Sequence, residues 1–393
     1  MTRAVRRAAI GLVLTAACVG AAGCGDDPTG EKAGATKVAL YVGVPLRGPW
    51  GPQGAAVVRG VELGLADAGG GAGGLSLRVS ERDVTDDDGI TVGVAGAARE
   101  AGVVLRDSGA VAAISGVSAA TVREYGLLAS QTGVSFVSAT GDDVPMTQAD
   151  REPSGVRSQV VLPPADEAVR RGVVERVRAA GCERPVVADA RVTGAGLPYD
   201  LSAVDPTSSA RATSWTDATL RRTVLSAVRG STDCIVLTGD PSAGEPAALV
   251  AALGDRLRGR TLILSRGAAS QAMARLVRER RLTAEAVVDD GVPGDSAEGR
   301  KIDALYAEHF GTPAPVGALS GWRAVKLQLR AVGAAGADGN RRDGVVAGLL
   351  RSAVPGPPAE GRQTAAGRIT NPQLSVARAE AYGWRAVSAI TPR

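Results

Sequence analysis

The stretch Val38-Ala39-Leu40-Tyr41-Val42-Gly43-Val44, followed by Pro45-Leu46-Arg47-Gly48-Pro49-Trp50, decides the fold. A short apolar run that breaks into a loop rich in proline and glycine is typical of a buried strand. The loop leads into residues 55–68, where apolar side chains recur at intervals of three and four residues, as in an amphipathic helix. The stretch therefore predicts a β–loop–α unit whose strand is buried on both faces.

The same alternation continues along the chain. Further strands are predicted at residues 75–79, 110–114 and 134–137, with helices at 91–107 and 121–132. After a polar stretch at 141–164, a second series has helices at 165–180, 217–229 and 245–257 and strands at 185–189, 234–238 and 261–264. Apolar strands that alternate with helices indicate parallel sheets. We therefore predict an α/β protein with two similar Rossmann-like lobes.

The first 24 residues have the features of an export signal. Three arginines precede an apolar run at residues 8–23, which is shorter than the about 20 residues that span a bilayer. Small residues then lead to Cys24 and a polar Gly-Asp-Asp, as in a bacterial lipobox, where the cysteine is acylated and becomes the mature N-terminus. A plain cleaved signal and a lipobox at Cys18 remain open alternatives. We expect residues 1–23 to be removed, residues 24–36 to form a flexible tether, and the chain to be anchored by lipid outside the cell membrane.

Composition excludes some classes of function. The 393 residues suffice for two domains beyond the N-terminal signal. Three of the 45 Lys and Arg lie in the signal, so the rest nearly balance the 41 Asp and Glu, and no nucleic-acid partner is expected. No spacing typical of redox, zinc-protease or NTPase sites occurs. We expect neither a cofactor nor a metal.

Two cysteines remain beyond the signal. Cys182 precedes the apolar run 186–188, and Cys234 opens the run 234–237. If these runs are neighbouring parallel strands, both cysteines lie at the same strand ends, where a disulfide can form. We predict this disulfide because an exported chain folds in an oxidising environment. Two buried free thiols remain the alternative.

Several stretches, taken in order, resemble the type I periplasmic binding proteins, and more narrowly the branched-chain amino acid and amide branch of ABC-transporter substrate-binding proteins. They lie at residues 42–50, 81–83, 114–118, 133–140, 306–313 and 320–325. The resemblance implies two lobes joined by a hinge of three crossovers. Lobe one would comprise residues 37–154 and 291–351, and lobe two residues 155–290 and 352–393, with strands near 368–369 and 386–390.

The resemblance also implies a function. A small polar solute, amino acid-like or carboxylate-bearing, would bind in the cleft between the lobes, the lobes would close by hinge motion, and the closed form would dock on an ABC permease. The chain would be a monomer and would catalyse no reaction.

The implied site in lobe one begins where the third loop enters a helix. Free N–H groups at a helix N-terminus favour a carboxylate, and this loop carries Ser118, Ala119 and Thr121. Ser118 matches the first serine of the family's usual Ser-Ser pair, whereas Ala119 replaces the second. Ser118 or Thr121 as a plain helix cap remains open.

Two other loops of lobe one contribute further positions. Ser138, Thr140 and Asp142 follow the next strand, where relatives surround the amino end of the solute. Trp50 and Gln53 lie in the first loop, where an aromatic ring would cover the solute. Packing of Trp50 within the lobe and a solvated role for Asp142 are the alternatives.

Lobe two departs from the family pattern. It lacks a Tyr-Gly pair after its first strand, and Pro198 and Pro206 leave no room for a crossover helix of normal length. Arg266 stands near the place where amino-acid binders carry an acid, and it would attract a carboxylate or phosphate. Asp240 would restore a negative charge. Arg266 as a surface residue is the alternative.

Other interpretations remain. The acids Asp83, Asp86, Asp87 and Asp88 lack the spacing of an EF-hand and are predicted to form a solvated loop that caps the next helix. A serine hydrolase that uses Ser118, with His309 as the base, is a remote alternative. The main alternative is a sensory or partner-binding lipoprotein with a degenerate pocket.

Overall fold

The computed structural model describes residues 36–141, 155, 157–192, 201–356, 360–370, 372 and 374–390. The predicted signal, the lipidation site at Cys24 and the tether up to residue 35 lie outside these residues. Within the described ranges, two sheets are each covered by helices on both faces. No described helix combines the length and apolar character that a membrane span requires.

The first sheet belongs to lobe one and has the strand order β2-β3-β1-β4-β5-β6. Its pairs are parallel except β2–β3. The strands are β1 Lys37–Val44, β2 Gly71–Ala72, β3 Leu75–Asp83, β4 Ala110–Ser115, β5 Ser135–Ser138 and β6 Gln159–Val161. The helices between them are α1 Gly51–Asp67, α2 Val94–Arg106 and α3 Ala119–Thr132. Alternate residues of β1 enter apolar clusters on opposite faces of the sheet, which explains its continuous apolar run.

The second sheet belongs to lobe two and has the order β13-β12-β11-β10-β9-β7-β8, antiparallel only at β11–β12–β13. Its helices are α4 Asp166–Ala179, α5 Ala218–Arg229, α6 Ala247–Leu253 and α7 Gln271–Glu279. Its strands are β7 Pro185–Ala190, β8 Ser208–Ala212, β9 Cys234–Gly239, β10 Thr261–Ser265, β11 Thr283–Val288, β12 Ser375–Glu380 and β13 Gly383–Ala389. Cys182 and Cys234 form a disulfide with Cα atoms 5.7 Å apart, between the neighbouring strands β7 and β9.

Three later helices return to lobe one: α8 Ala297–Phe310, α9 Ala318–Ala335 and α10 Arg342–Arg351. α9 lies against α1 with their backbones in contact. A Cβ on Gly60 would lie 2.0 Å from the Ala318 carbonyl oxygen, and one on Gly321 would lie 2.2 Å from the Val57 carbonyl oxygen. Glycine at these two positions therefore permits the close approach of the helices.

The lobe boundaries differ from the predicted ones. β6 pairs with β5, so lobe one extends through Val161 rather than ending at residue 154. Arg368 bridges to Val161, and Ile369 is buried in the lobe one core, so the lobe two strand predicted at 368–369 is wrong. The chain thus crosses between the lobes after β6, after β11 and between residues 369 and 374, which gives the three crossovers.

The connection between β7 and β9 in lobe two contains a strand that the sequence pattern does not reveal. β8 pairs with β7 at the edge of the sheet, and the described residues between them form only a 3-10 turn at Ser202–Val204. The helix predicted at 245–257 is shorter than expected, because α6 ends at Leu253 and a 3-10 turn covers Gly254–Leu257.

Candidate functional site

The loops at the carboxyl ends of strands from the two lobes meet directly. Ala119 N donates a hydrogen bond to Asp240 Oδ2 at 3.1 Å, and Gly141 N donates to Asp289 Oδ2 at 3.1 Å. Ala119 and Gly141 belong to lobe one, whereas Asp240 and Asp289 follow β9 and β11, and all four residues are buried. Loops at these strand ends form the binding crevice in open α/β folds. The crevice is therefore closed, with the lobes in hydrogen-bonded contact.

Ser118 and Thr121 form a helix cap at the start of α3. Ser118 Oγ accepts from Thr121 N at 3.2 Å and donates to Val92 O at 3.0 Å. Because the single proton of Ser118 is used in this way, Thr121 Oγ1, 2.8 Å from Ser118 Oγ, is the donor between the two hydroxyls. Both side chains are buried, and these contacts lie within lobe one.

Ser138 and Thr140 support the loop that precedes α3. Val117 has a φ of 77°, which is rare for a β-branched residue. Its N–H donates to Thr140 Oγ1 at 2.9 Å, and Ser138 Oγ donates to Thr140 O at 3.3 Å. The two hydroxyls thus hold an unfavourable backbone conformation beside the crevice. Asp142 lies outside the described residues.

Trp50 and Gln53 differ in their surroundings. Trp50 is fully buried in the apolar cluster of Tyr41, Val92 and Tyr125, as expected for packing within the lobe. Gln53 lines a cavity of about 20 Å³ together with lobe two residues such as Trp384. A cavity of this volume holds about one water molecule. Trp50 Nε1 and Gln53 Oε1 have no hydrogen-bond partner among the described residues.

Asp240 is held rigidly at the crevice. Its Oδ1 accepts from Ser242 N at 2.9 Å and from Ser242 Oγ at 2.6 Å, which caps the 3-10 turn Pro241–Ala243. Its Oδ2 reaches across to Ala119 N in lobe one. A carboxylate of the chain itself therefore lies at the α3 N-terminus, where the resemblance places the carboxylate of a solute.

Arg266 is buried between two acids, so its interpretation as a surface residue is wrong. Its side chain is 4 % exposed. Nη1 lies 2.9 Å from Asp289 Oδ2, and Nη2 lies 3.3 Å from Asp166 Oδ1. Sequence reasoning missed both acids. Asp289 follows the apolar end of β11, and the rule that singled out Asp240 at the end of β9 applies equally to it.

Two further pairs of buried charged residues lie near the crevice, Arg191 with Asp189 and Asp290 with Arg323. Arg191 Nε lies 3.1 Å from Asp189 Oδ1, which also accepts from Thr238 Oγ1 at 2.6 Å. Asp290 accepts from Gly317 N at 2.7 Å, joining the second crossover to the start of α9. Burial raises the pKa of Asp290 to about 6 and lowers the pKa of the nearby Arg323 to about 10.

The acidic cluster after β3 binds its own loop. Asp86 accepts from Gly93 N at 3.1 Å and from Gly96 N at 2.7 Å at the start of α2. Asp88 Oδ1 accepts from two backbone N–H groups of the same loop, and Asp87 pairs with Arg99. These contacts are those of the predicted capping loop. The described residues contain no cluster of metal-ligating side chains.

The described contacts do not join Ser118 and His309 as nucleophile and base. Ser118 donates its proton to Val92 O. His309 is exposed on α8, and its Nδ1 lies 2.9 Å from Leu305 O in the preceding turn.

Solved structures provide the similarity that sequence comparison lacks. The sequence matches no protein-family model and no curated protein. A solute-binding protein of an ABC transporter from R. palustris, in complex with benzoate, matches with a TM-score of 0.72 over 91 % of this chain and 97 % of that one, at 18 % identity. The chain has the fold of the type I periplasmic binding proteins.

Two other structures with this fold match equally well. The leucine-binding protein LivK of Thermotoga maritima has a TM-score of 0.72 at 16 % identity, over 90 % of this chain and 99 % of that chain. LivJ of Streptococcus pneumoniae, in complex with isoleucine, has a TM-score of 0.72 at 12 % identity, over 91 % and 100 % of the two chains. At these identities the likeness concerns the periplasmic binding protein fold, and the choice of solute must be argued from the site.

Proposed function

We propose that the chain is an exported solute receptor of an ABC importer, anchored outside the membrane through an acylated Cys24, that binds a small carboxylate-bearing solute between its lobes. One observation carries the proposal: the buried N-terminus of α3 holds a carboxylate, that of Asp240, 3.1 Å from Ala119 N. Unpaired N–H groups and the helix dipole stabilise an anion at such a place.

The fold neighbours agree with this class of solute. Three of them were solved in complexes, with benzoate, isoleucine and p-hydroxybenzoic acid. These compounds share a carboxyl group and little else, so the carboxylate is the feature that we carry over to this chain. A monomeric receptor would exchange the present contacts between its lobes for the solute, close around it by population shift and then dock on its permease.

Thermal unfolding of the exported protein with pairs of matched solutes tests the proposal. We expect benzoate and L-leucine to raise the unfolding temperature, and the corresponding amides benzamide and L-leucinamide, which lack the carboxylate, to have no effect. A solute at a hundredfold excess over Kd stabilises the native state by about 2.7 kcal/mol, or roughly 5–10 °C for a domain of this size. Equal shifts with acids and amides would contradict recognition of a carboxylate.

A second candidate is the sensory or partner-binding lipoprotein with a degenerate pocket. It is favoured by the small cavity of about 20 Å³ beside Gln53 and by the acids of the chain that already bind Ala119 and Gly141. A well-folded protein that no carboxylate stabilises would support this candidate over the receptor.

A further inference from the structure

We infer that the side chain of Asp240 takes the place of the solute's carboxylate and keeps the cleft closed without solute. An incoming carboxylate must then displace Asp240. The displacing solute rests on the proposed function, whereas the closure rests only on contacts between the lobes. We call the bond from Ala119 N to Asp240 Oδ2 the latch.

The latch satisfies a donor that α3 cannot satisfy itself. The first N–H groups of a helix have no partner within it. In α3 the Ser118 side chain accepts from Thr121 N, and Ser118 O accepts from Val122 N. Ala119 N instead uses an acceptor from the other lobe. A buried N–H without a partner is costly, so opening the cleft requires water or a solute to replace Asp240.

Asp240 is oriented before the lobes meet. Ser242 N and Ser242 Oγ hold its Oδ1, and its backbone N–H donates to Ala190 O at 3.1 Å. These contacts lie wholly within lobe two and leave Oδ2 directed at lobe one. Because Asp240 is already held in place, little side-chain freedom is lost on closure, and Asp240 acts as a preorganised ligand for Ala119 N.

A second contact of the same type stabilises the closed form. Asp289 Oδ2 accepts from Gly141 N, and Arg266 within lobe two holds the same oxygen at 2.9 Å. Two acids of lobe two therefore bind backbone N–H groups of two adjacent loops in lobe one. A solute shifts a conformational equilibrium only by its differential affinity for the two forms, so it must outcompete these contacts.

Two variants remove the latch from opposite sides of the cleft. Asp240→Asn keeps an oxygen for Ser242 but turns an NH₂ group towards Ala119 N, where no acceptor remains. Ala119→Pro removes the donor at the first position of a helix, which accepts proline. Ser118 has φ −123° and ψ 154°, a conformation that suits a residue before proline.

Matched controls lie on α5, in lobe two. Asp217 caps that helix through Thr219 N and Leu220 N, and Ala218 is its exposed first residue. Asp217→Asn and Ala218→Pro repeat the same chemical changes at a helix start whose capping contacts lie within lobe two. Spin labels at Arg221→Cys on α5 and Glu308→Cys on α8, both exposed, report the distance between the lobes by pulsed electron resonance.

We expect one short distance in the solute-free parent and in both controls, and an added longer distance in both latch variants. An open parent without solute overturns the inference. A folded latch variant, Asp240→Asn or Ala119→Pro, that shows only the short distance of the parent also overturns the inference.

A benzoate titration separates the latch from the receptor function. Asp240→Asn should bind benzoate about tenfold more tightly than the parent, because a hydrogen bond to a charged competitor is lost. Ala119→Pro should open without this gain, since its donor is missing. If the variants open but no protein binds benzoate or L-leucine, the latch stands and the receptor function fails. If the parent binds benzoate but Asp240→Asn neither opens nor binds more tightly, the receptor stands and the latch fails.

Discussion

Breaking the disulfide between Cys182 and Cys234 is expected to destabilise lobe two by about 4 kcal/mol. The two residues are 52 positions apart, and the loop that they close runs through β7, β8 and α5 to the start of β9. In the chain-entropy description, closing such a loop removes about 14 cal/mol/K from the unfolded state, which is about 4 kcal/mol at 25 °C. The loop includes the connection from β7 to β9, in which β8 is an edge strand that pairs, among the described strands, with β7 alone.

Native-state hydrogen exchange during a urea titration measures the loss of stability in each lobe separately. Reduced protein retains both sulfur atoms and reports the cross-link alone, whereas the double variant Cys182→Ala with Cys234→Ala also loses the packing of Cys234, which is 2 % exposed. Amides of β9 should lose protection, and amides of β4 in lobe one serve as the internal reference. A loss below about 1 kcal/mol in reduced protein would refute the reasoning, because the closed loop would then not limit the unfolded chain.

Three further predictions concern packing, charge and capping. Gly60→Ala should cost about 1–3 kcal/mol in urea unfolding, because its Cβ would lie 2.0 Å from a carbonyl oxygen of α9, whereas Gly294→Ala, with open space around it, should be near neutral. Because burial raises the Asp290 pKa to about 6, the native state keeps a proton that the unfolded state loses above about pH 4. The stability of the parent relative to Asp290→Asn should therefore fall by up to about 3 kcal/mol between pH 4 and 6. Ser118→Ala should cost about 1 kcal/mol, like the equivalent cap variant Ser270→Ala, and leave the benzoate affinity within about twofold.

Each of these predictions has a contradicting result. Equal losses for Gly60→Ala and Gly294→Ala would show that the helices can separate at no cost. If the free energies of unfolding of the parent and of Asp290→Asn differ by the same amount from pH 4 to 6, Asp290 does not take up the proton in this range. A large affinity loss confined to Ser118→Ala would make this hydroxyl a ligand rather than a cap.

The long elements of the fold follow from local patterns, and the short edge elements do not. β1 is predicted at 38–44 and lies at Lys37–Val44, since a strand buried on both faces reads as one apolar run. β8, with the sequence Ser-Ser-Ala-Arg-Ala, alternates between half-buried and exposed residues at a sheet edge and has no such run. β6 has only three residues, too few for a period to be detected.

The site was predictable only in part, because the position of a residue at a strand end is a local feature, whereas its burial and its partners are not. The strand-end rule selects Asp240 and Arg266, but their burial depends on partners far away in the chain. Arg266 pairs with Asp289 and Asp166, which are 23 and 100 positions away, and Asp240 binds Ala119, 121 positions away. A charged residue that is neutralised by such distant partners has the same local pattern as a solvated one.

The three crossovers also determine when the molecule can fold. The lobe two sheet is completed by β12 and β13, which follow the third crossover, and the lobe one core needs α9, which follows the second. Before residues 375–380 have been synthesised, one edge of β11 is unpaired. Before residues 318–335 have been synthesised, α1 lacks α9, the helix that it packs against. Contacts of such long sequence separation form slowly. We therefore expect neither lobe to reach its complete native packing until most of the chain is available.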